Sequence, residues 1–310
     1  RLLDFLTAFS GGSGMTGGTA AAPVPPAPAS APPTDLTLSL AANRATMGTL
    51  ALEKLNGRAR VTRAGVALDP VEFGVFGGAY KGTMTVTATG TPTFRLNAAL
   101  SNIDVAVMTA FAGSPGTISG RMSGRLDAAG QAADVAGVMN SARGTARVDI
   151  RDGVVKGLGL VKTIVVATSG RADATIPQTG GSNDEPFSQL AATLAIANGT
   201  ARTNDLQFQS SDVLLRAAGS LRLDGRAIDL KGDVQLSDAL SKQAGRDLVR
   251  YTQEQGRVTV PAVVTGSLQA PSVRVDIASL ARRALQNKAN EAIEKALGNK
   301  LGGLFKKKPR

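Results

Sequence analysis

The chain has 310 residues, 43% hydrophobic and 4% aromatic, with no cysteine, no histidine and a formal net charge of +11. Without thiolate or imidazole it lacks the usual metal ligands, a cysteine nucleophile and the base of a Ser-His-Asp triad; the few aromatics leave little on which nucleic-acid bases could stack. The charge is local: from Ser279 to Arg310 nine Lys/Arg stand against Glu291 and Glu294, so this segment carries +7 of the +11 and the body is nearly neutral. A cationic end suits an anionic surface as much as phosphate backbones, and with a neutral body nucleic acid is not expected as a partner. The missing cysteine fits an oxidising compartment.

Residues 1–9 form a short apolar piece that reads as the end of an upstream region, and the chain is expected to be the C-terminal part of a longer protein. Residues 10–34, rich in Gly, Ala and Pro, bury too little side chain to offset the entropy of ordering and read as a linker. No apolar run reaches the roughly 18 residues of a spanning helix.

From 35 to 278 the dominant pattern is period two. Leu36, Leu38 and Leu40 alternate with polar residues, as do Phe94, Leu96, Ala98 and Leu100, then Leu206 and Phe208, Val213, Leu215 and Ala217, Leu221 and Leu223, Ile228 and Leu230, Val234 and Leu236, and Val273, Val275 and Ile277. Alternation places one set on one face of a sheet. Turns are expected at Asn56-Gly57, Ala64-Gly65, Asp152-Gly153, Asn198-Gly199, Asp224-Gly225 and Lys231-Gly232. Leu55–Val86 weakly echoes Ala197–Gly225, which suggests repeated strands. The fold expected is mostly β: an extended, curved, groove-like sheet with a few short helices.

Three segments depart from alternation. Ile103–Ala112 and Lys156–Ala167 are short apolar stretches compatible with helix or buried strand. Asp238–Gln255 carries Leu240, Ala244, Leu248 and Tyr251 at helical spacing, with Asp238 as cap and Gly256 as stop. From 279 to Leu297 the period becomes 3.6, with Leu280, Ala281, Ala284, Leu285 and Ile293 in one stripe. The basic tail follows.

Chemistry-bearing motifs are sparse. The acidic residues sit mostly in turns or on polar strand positions, where they read as solvated. Gly11-Gly12-Ser13-Gly14 lacks the Lys-Ser/Thr of a phosphate loop, and Gly77-Gly78 reads as a tight bend between strands. No catalytic, metal-binding or cofactor-binding residue is assigned, no cofactor is expected, and the protein is expected not to be an enzyme.

Four stretches carry a resemblance. They are VEFGVFGGAYKGTMTV (Val71–Val86), ISGRMSGRLDAAGQ with GTARVDIRDGVVKGLGL (Gly144–Leu160), the run Phe187–Leu230, and VPAVVTGSLQAPSVRVDIASL (Val260–Leu280). In order and spacing this resembles the C-terminal domain of AsmA-like envelope proteins. The resemblance covers about 36–285; Phe76 stands where Tyr is expected, and the lysine-rich ending is longer than the pattern. It implies a periplasmic protein of a Gram-negative bacterium, at the inner membrane through an anchor upstream of this chain. It also implies an apolar β-groove that shields phospholipid acyl chains during transport between membranes and outer-membrane assembly. The candidate lipid-facing residues are Leu96, Phe208, Leu215, Leu223, Leu230 and Leu236. The candidate membrane or partner tail is Leu304, Phe305, Lys306, Lys307 and Lys308. An alternative is a structural or assembly module that binds envelope proteins through a sheet edge or the terminal helix.

Overall fold

Strand-forming alternation dominates the computed structural model, which describes residues 35–47, 49–131, 135–169, 183–243, 252–254 and 256–289. The apolar piece 1–9, the linker 10–34 and the tail from 290, with Leu304, Phe305 and Lys306 to Lys308, lie outside the described residues. Strand pairing is antiparallel in every register resolved. The mostly-β expectation therefore holds.

The chain divides into two compact units. The first holds β1 (Asp35–Met47), β2 (Leu50–Thr62), β3 (Gly65–Val75), β4 (Gly78–Thr87), β5 (Thr93–Asp104) and β6 (Arg121–Gln131), with helices α1 (Val105–Phe111) and α2 (Val135–Ser141). It also takes in the first half of β7 (Arg143–Val155). Its strands follow in sequence order, each beside the next, so β1 pairs on one side only among the described residues. Register shifts at Glu53/Asn56, Gly57/Ala59, Leu68/Val71 and Leu100/Ile103 mark bulges, which bend and twist strands.

The second unit holds the rest of β7, most of β8 (Glu185–Ala197) and of β9 (Thr200–Gln209), and β10 (Val213–Arg222), β11 (Ile228–Leu236), β12 (Gln253–Glu254), β13 (Arg257–Gly266) and β14 (Pro271–Val275). Its helices are α3 (Leu160–Ser169), α4 (Asp238–Gln243) and α5 (277–289). β13 pairs with β11 on one side and with β12 and β14 on the other.

Both ambiguous apolar stretches contain helices. Asp104 closes β5 and caps α1, its Oδ1 accepting from the backbone of Ala106 at 3.0 Å and Val107 at 3.2 Å. Glu185 does the same for α3, accepting from Val161 N at 3.1 Å. It is buried, and burial is the main reason its carboxyl titrates above the usual range, opposed by these N–H groups. Nothing near Leu160 in sequence announces this cap, because its partner lies beyond residues 170–182.

Several local expectations are corrected. Asn56-Gly57, Asp152-Gly153 and Lys231-Gly232 lie inside β2, β7 and β11, whereas the other three dipeptides do turn the chain. Their glycines are there for room: a Cβ on Gly57 would stand 2.7 Å from Pro70 O, and one on Gly232 2.0 Å from Arg216 O. The echo between Leu55–Val86 and Ala197–Gly225 therefore does not place Asn-Gly equivalently. Of the helix expected over Asp238–Gln255, Asp238–Gln243 is helical and Ala244, Leu248 and Tyr251 lie outside the described residues, while Gln253–Glu254 is a strand paired with β13. Its capping acceptor is Ser237 Oγ, 3.3 Å from Leu240 N, while Asp238 Oδ1 accepts from Arg257 at 2.9 Å. The terminal helix starts at 277, so Ile277 is helical and does not continue the strand alternation, because Asp276 caps the helix: Ser279 N and Oγ donate to its carboxylate at 3.0 and 2.7 Å.

Candidate functional site

In the first unit the registers align side chains into rows that run across the strands. One row is Leu38, Ala59, Leu68, Met84, Leu96 and Ala128; the next is Leu40, Gly57, Val71, Gly82, Ala98 and Leu126. No charged residue stands in either row. The larger side chains, Leu38, Leu40, Leu68, Met84, Leu96 and Leu126, are only half-buried, while Val71 and Ala98 are buried. The opposite face carries Arg60 paired to Asp35 at 2.9 Å, Lys81 beside Glu72, and Asn97 donating to Asp127 at 3.1 Å. The sheet thus has one continuous apolar face and one polar face.

At one end of the apolar face Tyr80 stacks on its cross-strand partner Phe73, with ring centroids 4.5 Å apart. Its hydroxyl is buried without a hydrogen-bond partner, and burial pushes the phenol up to about 12. Phe76, in the β3–β4 turn, meets Phe111 of α1 at 5.4 Å. Four of the chain's eleven Phe and Tyr residues thus gather here. Composition gave no hint of the cluster, since Phe73 and Tyr80 meet only through the hairpin.

The second unit repeats the two-faced pattern and grades it. Val213 faces Leu236 and Leu215 faces Val234; Val234 in turn faces Val260. All five are at most 4% exposed. Helix α4 lies against β11 and β13 here and adds Leu240; α3 lies against β14 and buries Leu160 and Ile164. Toward the other end of β10 and β11, Gly219 faces Leu230 and Gly266 faces Ile228. With a glycine opposite on one side, and Val264 and Leu221 respectively on the other, Leu230 and Ile228 are half-buried, as is Leu223 in the turn beyond.

The six candidate lipid-facing residues therefore separate. Leu96 belongs to the first unit; Phe208, Leu215, Leu223, Leu230 and Leu236 belong to the second. Phe208, Leu215 and Leu236 are core, Phe208 packing on Phe187 at 5.4 Å between centroids. Leu96, Leu223 and Leu230 keep exposed surface.

Helix α5 is tied to its own unit: Arg283 reaches Asp233 on β11 at 2.7 Å, and Asp276 N donates to Pro261 O at 2.9 Å. Its stripe is only partly used. Leu280 and Ala284 are half-buried, but Ile277 is 64% and Leu285 68% exposed.

The AsmA family model matches residues 20–206, more than half of the chain. The chain belongs to the AsmA family. It is also 22% identical over 212 residues to Protein AsmA of Escherichia coli (strain K12), a match that takes in 68% of this chain and 33% of that protein. This AsmA-family chain thus spans about a third of the length of that relative. No solved structure matches it significantly. The family match includes all of β1 to β6; Val260–Leu280, one of the stretches that carried the resemblance, lies beyond it. Family membership points to a role in the envelope of Gram-negative bacteria. Among the described residues no helix is long and apolar enough to cross a membrane, and no group of His, Cys, Asp and Glu is placed to hold a metal ion.

Proposed function

We propose that this chain shields phospholipid acyl chains along its apolar sheet faces, by non-covalent burial and without catalysis, in the periplasm at the inner membrane. The observation that carries this reading is the uncharged, half-buried row through Leu38, Leu68, Met84 and Leu96. Apolar side chains left with accessible area gain about 25 cal/mol for each Å² that a lipid chain covers. A surface without charges or donors gives no preference among chain types, as a carrier of varied lipids requires. The half-buried Leu223 and Leu230 supply a comparable surface in the second unit.

Photo-crosslinking in cells tests it. Probes at Leu96 and Leu230 should capture phospholipid. Probes at Ser39, on the polar face, and at the buried Leu215 should not. Equal capture at Ser39, or none at Leu96 and Leu230 in a folded chain, would overturn the assignment.

The exposed Ile277 and Leu285 of α5 favour a second role, attachment to an envelope protein or an anionic membrane through the terminal segment. Lys306, Lys307 and Lys308, with Leu304 and Phe305, would add charge and apolar anchors, each basic residue contributing about 1 kcal/mol near an anionic surface. Removing Ser279–Arg310 should then lower membrane association or partner recovery; unchanged values for both would exclude the segment.

A further inference from the structure

At the end of the first unit's sheet, β4, β5, β6, α2 and the start of β7 line a pocket of about 680 Å³, with Thr85, Arg95 and Ala129 from the polar face and Phe94 and Gly130 from the apolar one. Ala129 faces Arg95 in the β5–β6 register, and Gly130 follows it. Ala129 forms the floor on this face, and Arg95 and Arg143 line the space with it. Gly130 faces Phe94 on the other side of the sheet, where a Cβ would lie 2.8 Å from Ser141 Oγ and 2.9 Å from the Phe94 ring.

The remaining lining is rich in neutral polar groups: Thr85, Thr87, Asn140 and Asn198 contribute. Ser141 is fixed in place, its Oγ accepting from Gln131 N at 2.8 Å. No carboxylate lines the pocket among the described residues, and neither arginine makes an ion pair there. Two exposed guanidinium groups beside hydroxyls and amides, with no carboxylate among the described lining residues, fit an anionic ligand that also carries hydroxyls. Guanidinium matches the paired oxygens of a phosphate, and the volume lies within the range of small-molecule sites and exceeds what a bare phosphate fills.

We infer that this pocket binds a phosphate ester of a small polyol, the phosphate between Arg95 and Arg143 and the hydroxyls on the Thr and Asn side chains. The inference does not depend on acyl shielding, because Thr85, Arg95 and Ala129 stand on the face opposite to the Met84, Leu96 and Ala128 row. The same chemistry occurs in a soluble glycerol or sugar phosphate and in a phospholipid headgroup.

Calorimetric titration of the 310-residue chain with glycerol 3-phosphate, and with glycerol as control, tests it. Saturable binding of the phosphate and none of glycerol is expected. Arg95→Gln and Arg143→Gln should each weaken it at least about tenfold, the loss of a charge-assisted pair. Arg125→Gln removes the same charge from the same face outside the pocket and should change affinity less than about twofold. All three side chains are exposed, so circular dichroism should be unaltered. Phosphatidylglycerol vesicles will compete with the titrant if a headgroup is the source and leave it unchanged if the ligand is soluble. No saturable binding at millimolar concentration, or equal losses from Arg125→Gln, would overturn the site.

Discussion

Tyr80 places a phenol where stacking on Phe73 holds the ring and nothing holds the hydroxyl. A buried polar group without a partner costs stability, whereas deleting it leaves the packing intact. Tyr80→Phe is therefore expected to leave the fold unchanged and to raise stability by up to about 1 kcal/mol in urea unfolding; a loss of that size would mean that the hydroxyl has a partner in solution. Glu185 behaves differently, because its carboxyl is buried at the start of α3 and titrates above its usual range. The folded state then holds the proton at pH values where the unfolded chain has released it. Stability from this group is greatest below the ordinary carboxyl range, falls as pH rises from there to the raised folded value, and is level above it. Glu185→Gln should remove that slope. The wild-type minus variant difference, measured by denaturation at a series of pH values from 4 to 8, should decline with pH; a flat difference would contradict the burial argument.

At the scale of elements, the graded face of β10 and β11 separates core from surface within one alternating pattern. Leu236→Ala should cost about 2–5 kcal/mol by opening a cavity, and Leu230→Ala about half of that or less, since part of its side chain meets solvent already. Equal costs would mean that Leu230 is covered. The cap and ion pair that bind α5 make a further point: Asp276→Ala and Arg283→Ala should each speed amide exchange in 277–289 while leaving β11 protected. Alternation made most strands and both faces legible in the sequence, because period two is a property of the strand itself. It did not distinguish Leu215 from Leu230, which occupy equivalent places in the pattern and differ only in what lies over them. Nor did turn dipeptides mark every turn, since Gly57 and Gly232 serve close strand approach. Asp276 was readable as a strand end but not as a cap, because the helical spacing was counted from Ser279.

Across the molecule, charge and apolar surface are kept apart. The net charge of +11 is concentrated in the last 32 residues, while the apolar rows of the first unit carry no charge. Association with anionic vesicles should therefore weaken steeply with salt and depend on residues 279–310, whereas phospholipid capture at Leu96 should change little between low and high salt. Flotation and crosslinking at two ionic strengths separate the two. Parallel loss of both signals would tie lipid capture to the tail.

The direction of the apolar rows has a consequence for anything lying along them. Adjacent strands are about 4.8 Å apart, so a row over six strands runs for about 24 Å. One leaflet of a bilayer is only about 15 Å of hydrocarbon deep. A chain end laid on the row would thus fall short of its length, and no side chain along the way marks a stopping place. Under the proposed acyl shielding such a surface would work as a rail and not a socket: it would fix the orientation of a chain, leave its position free, and let it creep from strand to strand in steps too small to need a gate.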